Sequence, residues 1–104
     1  LDALVNLGRL VHEGGDVERA VSLYTRALER SDADDPIAAF NLGIALEDLG
    51  RYADARDAYH RAVEADPGFA DAHYNMSRMC ERVGDRVSAL RYLKNYKALT
   101  SSSR

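Results

Sequence analysis

Residues 41–55 read NLGIALEDLGRYADA, and the fold is decided by the fact that their landmarks recur elsewhere in the chain. Asn41-Leu42-Gly43 is preceded by Asn6-Leu7-Gly8 and followed, in degraded form, by Asn75-Met76-Ser77. Gly50 has counterparts in Gly15 and Gly84, and Ala55 in Ala20 and Ala89. The step is 35 residues (15 to 50) and then 34 (50 to 84), and every landmark keeps that register. Self-similarity at such a period marks a stacked repeat, in which each unit buries its apolar side against the next.

Inside each unit the apolar residues return at helical spacing: Leu4, Leu7, Leu10 and Val11, then Val17, Ala20, Val21, Tyr24, Ala27 and Leu28. Each unit is therefore two amphipathic helices, divided where Gly15, Gly50 or Gly84 can take the left-handed conformation that ends a helix. The pattern predicts helices over residues 2–13, 17–30, 36–49, 52–65, 70–83 and 86–99. Asp16 and Asp85 are placed to cap the second helix of their units, Pro36 suits a first helical turn, and Pro67-Gly68 breaks the chain between the second and third units. The extra residue of the first unit falls in the acidic loop Ser31 to Asp35. The fold class read from this is all-α, a single domain over 1–104 with repeats at about 1–35, 36–69 and 70–104.

With these residues in hand the chain resembles the tetratricopeptide repeat family over essentially its whole length. The family pattern is matched by Leu7, Gly8, Gly15, Ala20, Tyr24 and Ala27, and by Leu42, Gly43, Gly50, Ala55, Tyr59, Ala62 and Pro67. Small residues such as Gly8 with Ala20 and Gly43 with Ala55 imply close helix crossings, where a larger side chain would overpack. The third unit departs, with Leu93 for the aromatic and Tyr96 for the second Ala. A bulky Tyr96 suggests that no fourth unit docks and that Ser101 to Arg104 ends the chain. The last helix is expected to expose Tyr92, Tyr96 or Leu99 in part.

The resemblance implies a right-handed superhelix of three antiparallel helix pairs whose first helices line a concave groove. Carried onto this chain, that lining includes Asp2, Val5, Asn6, Arg9, His12 and Glu13, then Ile37, Phe40, Asn41, Ile44, Glu47 and Asp48, then Asp71, Tyr74, Asn75, Arg78, Glu81 and Arg82. Phe40 and Tyr74 are the expected anchors, and the aligned Asn6, Asn41 and Asn75 suit an extended peptide backbone. Members that clamp a chaperone's terminal carboxylate carry Lys and Asn, Asn, and Lys and Arg at five of these places. Here they are Val5, Arg9, Asn41, Asp71 and Asn75, so only Asn41 matches and that specialisation is not expected.

Composition narrows the function further. The 104 residues carry a net charge of -3, with 46% hydrophobic and 30% charged side chains and no apolar run of membrane-spanning length. An acidic balance disfavours nucleic acid as a partner of this segment. The single Cys80 cannot pair internally and suggests a reducing, cytoplasmic setting with a small core residue at that place. His12, His60 and His73 lack metal-ligand spacing and are expected on exposed helical positions. Asp32, Asp34 and Asp35 lack the alternation of a calcium loop. Gly14-Gly15 lacks the following Lys-Ser or Lys-Thr of a phosphate loop. No cofactor, metal or catalytic set is expected, and the chain is read as non-enzymatic.

These features together point to a protein–protein interaction module that takes a peptide or protein partner in its groove. Two alternatives remain open: an array that self-associates through its terminal helices, and an interaction or sensor part of a larger bacterial regulator. The run Asp71-Ala72-His73-Tyr74-Asn75-Met76 and the Ala, Arg, Asp and Gly bias resemble arrays attached to helix-turn-helix regulators of the MerR type. The start at Leu1 suggests a piece of a longer protein.

Overall fold

The computed structural model describes residues 2–30 and 35–101. Asp32 and Asp34 of the acidic loop, and the tail beyond Ser101, lie outside the described residues. Within them the chain forms α1 (Asp2–Glu13), α2 (Val17–Arg30), α3 (Pro36–Asp48), α4 (Tyr52–Ala65), α5 (Ala70–Arg82) and α6 (Arg86–Ser101). Each expected helix is present with its boundaries shifted by two residues at most. Every helix packs on its neighbours in sequence, and α1 also touches α3, so the described chain is an all-helical repeat stack.

The turns within the units are copies of one another. Gly15, Gly50 and Gly84 have φ of +96°, +76° and +88°, a region that costs any residue with a Cβ. The following amide reaches back to close the helix end each time: Asp16 N to Val11 O at 2.9 Å, Arg51 N to Leu46 O at 2.9 Å and Asp85 N to Cys80 O at 2.8 Å. Asp16 and Asp85 then accept from the amides of Arg19 and Ser88 at 3.3 and 3.1 Å, which starts the second helix. The Ser88 bonds hold the Asp85 carboxyl below the usual carboxylate range. Asp35 does more than sit in a loop: its Oδ1 accepts from Ile37 N and Ala38 N at 3.0 and 3.2 Å and caps α3 ahead of Pro36.

The core is a seam of alanines running through the stack, including Ala20, Ala38, Ala55, Ala62 and Ala72, all at 0% exposure. Alanines let the helix axes approach, and two tyrosine rings fill the remaining space. Tyr24 and Tyr59 are the largest fully buried side chains, and each lies on the glycine of its unit's first helix. A Cβ on Gly8 would meet Tyr24 Cε1 at 2.6 Å, and one on Gly43 would meet Tyr59 Cε1 at 2.5 Å. The expected small-residue crossing is thus a glycine accepting a ring. In the third unit Leu93 replaces the ring, and Ser77 replaces the glycine with its hydroxyl donating to Ala89 O at 2.7 Å. The two departures compensate.

One histidine is misplaced by the sequence reading. His73 is buried at 5% exposure, not on an exposed helical position, and its Nε2–H donates to Pro67 O at 2.8 Å. Its ring packs 5.9 Å from that of Tyr92, and Nδ1 is buried with no partner among the described residues. Cys80 is buried at 1% exposure, and burial pushes its thiol up. On the last helix Tyr92, Tyr96 and Leu99 are all partly exposed as expected, and Leu90 stands 68% exposed.

Gly43→Ala tests the seam. Ala improves helix propensity by ~1 kcal/mol, but its Cβ overpacks against a confined ring at about 1–3 kcal/mol, so the variant is destabilised in urea unfolding. In a Tyr59→Leu background, which copies the third unit, Gly43→Ala becomes neutral or stabilising.

Candidate partner-binding groove

The first helices α1, α3 and α5 are tied to one another along one face by polar links. His12 Nε2 and Asp48 Oδ2 are 2.6 Å apart and join α1 to α3. Between α3 and α5, Glu47 accepts from the Arg78 guanidinium through both oxygens, Nη1 standing 3.3 Å from Oε1. Tyr59 reaches the same carboxylate from α4, its hydroxyl donating to Glu47 Oε1 at 2.9 Å. Arg78 Nη1 also lies 3.4 Å from Asn75 Oδ1. The hydrogen bond to Glu47 raises Arg78, while burial first and then the Glu47 charge push the Tyr59 hydroxyl far above its ordinary value.

An open recess of about 430 Å³ lies beside the α1–α3 link, lined by Arg9, His12, Glu13, Val17, Tyr24, Asn41, Ile44 and Asp48. It brings together six residues named from the sequence: Arg9, His12, Glu13, Asn41, Ile44 and Asp48. Val17 and Tyr24 were missed because they belong to α2. Their repeat positions mark them as core, and only the packed pair shows that they also floor the recess.

The remaining named residues sit elsewhere. Val5 is buried at 8% exposure in the core cluster, and Asn6 is exposed outside the recess. Glu47, Asn75 and Arg78 form the α3–α5 network, in which each is already engaged in a hydrogen bond with another of the three. Phe40 is half-buried, its ring 4.8 Å from Phe69 and 5.6 Å from Tyr59. It is a packing residue before it is an anchor, and Phe40→Ala would loosen the core as well as the groove. Tyr74 is 43% exposed with its ring 5.0 Å from Tyr96. The three aligned asparagines therefore occupy three different environments, and only Asn41 faces the recess.

A helical-repeat stack with an open, mixed-polarity inner face defines the class. The comparisons with known proteins narrow it: tetratricopeptide repeat profiles match residues 3–36 and 36–69. The chain belongs to the tetratricopeptide repeat family. It is 31% identical over 86 residues to the TPR repeat-containing thioredoxin TTL4 of Arabidopsis thaliana, covering 83% of this chain and 12% of that protein. It is also 31% identical over 87 residues to the peroxisomal targeting signal receptor of Saccharomyces cerevisiae, covering 84% of this chain and 14% of the receptor. The chain thus spans only a small part of the length of these relatives. The crystal structure of MamA superposes with a TM-score of 0.91 at 23% identity, over 97% of this chain and 58% of that one, which shows the shared fold.

Two outcomes follow from the Glu47 network. Glu47→Ala leaves the Tyr59 hydroxyl, in a side chain at 0% exposure, without its acceptor and costs about 1–3 kcal/mol in chemical denaturation. The same change in a Tyr59→Phe background costs less, because no hydroxyl is stranded. The second outcome concerns pH. The unfolded chain releases a tyrosine proton near pH ~10, whereas folded Tyr59 holds its proton to higher pH, so its contribution is fully present below pH ~10 and is lost as pH rises beyond it. Thermal unfolding followed up the alkaline range shows that fall, and Tyr59→Phe makes it shallower.

Proposed function

We propose that this chain is a non-catalytic interaction module that takes an extended peptide segment of a protein partner in the recess between α1 and α3. The observation that carries the reading is the recess itself: an amide at Asn41, an apolar wall at Ile44 and Val17, and charges of both signs at Arg9, Glu13 and Asp48. An extended backbone needs donors and acceptors beside an apolar floor, and this is the part of the groove that offers them together. Similarity to a receptor for a targeting signal supports a peptide-binding use of the fold. The single domain over 1–104 with its three units, and a cytoplasmic setting, belong to the same reading; the latter rests on the single Cys80.

A ligand held by its terminal carboxylate fits this surface poorly. Of the two arginines at the α5 end of the groove, Arg78 is already bound to Glu47 and Arg82 lies over the Tyr52 ring, and Asp71 adds an acid to that helix. A segment of mixed charge that lies along α1 and α3 fits better.

The test is selection from a displayed peptide library on the purified chain, followed by measured affinities for the winners. Asn41→Ala and Ile44→Asp each weaken binding by about tenfold or more while helicity is retained, as expected where a few central residues dominate. Undiminished affinity in both variants would remove the recess as the site.

A further inference from the structure

The two ends of the stack are complementary by register. Inside the molecule α3 seats on the first unit and α5 on the second. The incoming helix uses its unit's third, seventh and tenth places: Ala38, Leu42 and Ala45 in α3, and Ala72, Met76 and Met79 in α5, all buried. On α1 those places are Ala3, Leu7 and Leu10, and all three are exposed, Leu10 at 60%. These are the places that in α3 and α5 are covered where the helix seats on the unit before it.

The receiving side has a matching charge pattern. Glu47 of the second unit takes Arg78 of α5, and the Tyr52 ring takes the Arg82 guanidinium at 4.6 Å. In the third unit the places of Glu47 and Tyr52 hold Glu81 and Arg86, both exposed, around a recess of about 100 Å³ that Leu90 and Leu93 also line. On α1 the places of Arg78 and Arg82 hold Arg9 and Glu13, again exposed. The junction that already exists between α3–α4 and α5 would therefore be rebuilt with a cation opposite Glu81 and an acid opposite Arg86.

We propose that a second copy of this chain seats its α1 on the α5–α6 end, pairing Arg9 with Glu81 and Glu13 with Arg86 while Leu7 and Leu10 cover Leu90 and Leu93. The contact joins different surfaces of the two copies, so copies add head to tail rather than as a closed twofold pair. Tyr96 stands where Ala27 and Ala62 stand in the other units, but its ring lies on Tyr74 of its own unit, which leaves the leucines as the apolar floor. Arg9 and Glu13 also line the inner recess, so the junction is tested with no peptide present.

Sedimentation of the 104-residue chain from micromolar to near-millimolar concentration tests it. The wild type grows in mass with concentration, without stopping at a dimer. Arg9→Glu alone and Glu81→Arg alone each place like charges at every junction and move association to at least roughly tenfold higher concentration. An equimolar mixture of the two variants restores it, because wherever the two kinds of chain alternate each junction again joins opposite charges. The double variant in one chain, with the two charges exchanged, associates by itself. A wild type that stays monomeric throughout overturns the proposal, as does association that survives both single variants or a mixture that fails to recover.

Discussion

The rings of Tyr24 and Tyr59 lie so close to Gly8 and Gly43 that the other contacts in the stack follow from that approach. A glycine inside a helix weakens it by ~1 kcal/mol, and here it does so twice at the same register. In exchange the two helices of a unit close onto a fully buried aromatic side chain, and the alanine seam behind it can then receive the next unit. Isolated helices of this length are marginal in water, so their stability comes from that packing. The third unit reaches the same end with a smaller pair, Leu93 and Ser77, and satisfies the serine hydroxyl on Ala89 O.

The inner face inherits its geometry from this packing. With one unit's ring fixed, Tyr59 presents its hydroxyl to Glu47, and Glu47 in turn reaches Arg78 on the following unit. One carboxylate thus reads the positions of α3, α4 and α5 together. The α1–α3 junction uses His12 and Asp48 instead, and it leaves the neighbouring groups open to solvent. The groove is consequently asymmetric: at the α5 end a recess of about 270 Å³ is lined by Arg78, Glu81 and Arg82 with Arg78 already paired to Glu47, whereas the recess of about 430 Å³ at the α1 end offers an amide and an apolar wall. An identical repeat would not produce this, and the difference comes from a few side chains at equivalent places, such as Ile44 against Arg78.

Much of the fold was legible in the sequence because its signals are local. Gly15, Gly50 and Gly84 need positive φ, Pro36 and Pro67 punctuate the chain, and the apolar period fixes which face turns inward. The site was less legible. Glu47 and Arg78 are 31 residues apart and Tyr59 is 12 from Glu47, so nothing in a helical wheel announces that these groups satisfy one another. Phe40 carries the groove's register yet packs against Phe69, which lies in the turn after Pro67. His73 has the composition of a surface residue, and only the fold of that same turn brings Pro67 O to its ring. Asp35 reads as part of an acidic run although Pro36 already marks a helix start, and its capping role rests on the placement of its carboxylate beside the Ile37 and Ala38 amides.

The proposed partner site lies at the open inner end of the stack, on α1 and α3, and not on the outer helices. Amide chemical-shift mapping of the isotopically labelled chain during titration with a selected peptide tests this most directly. The account predicts that the shifts concentrate on α1 and α3 around Arg9, His12, Asn41 and Ile44, with the α3–α5 network responding less. Shifts concentrated on α4 or α6 instead, with α1 and α3 silent, would contradict it.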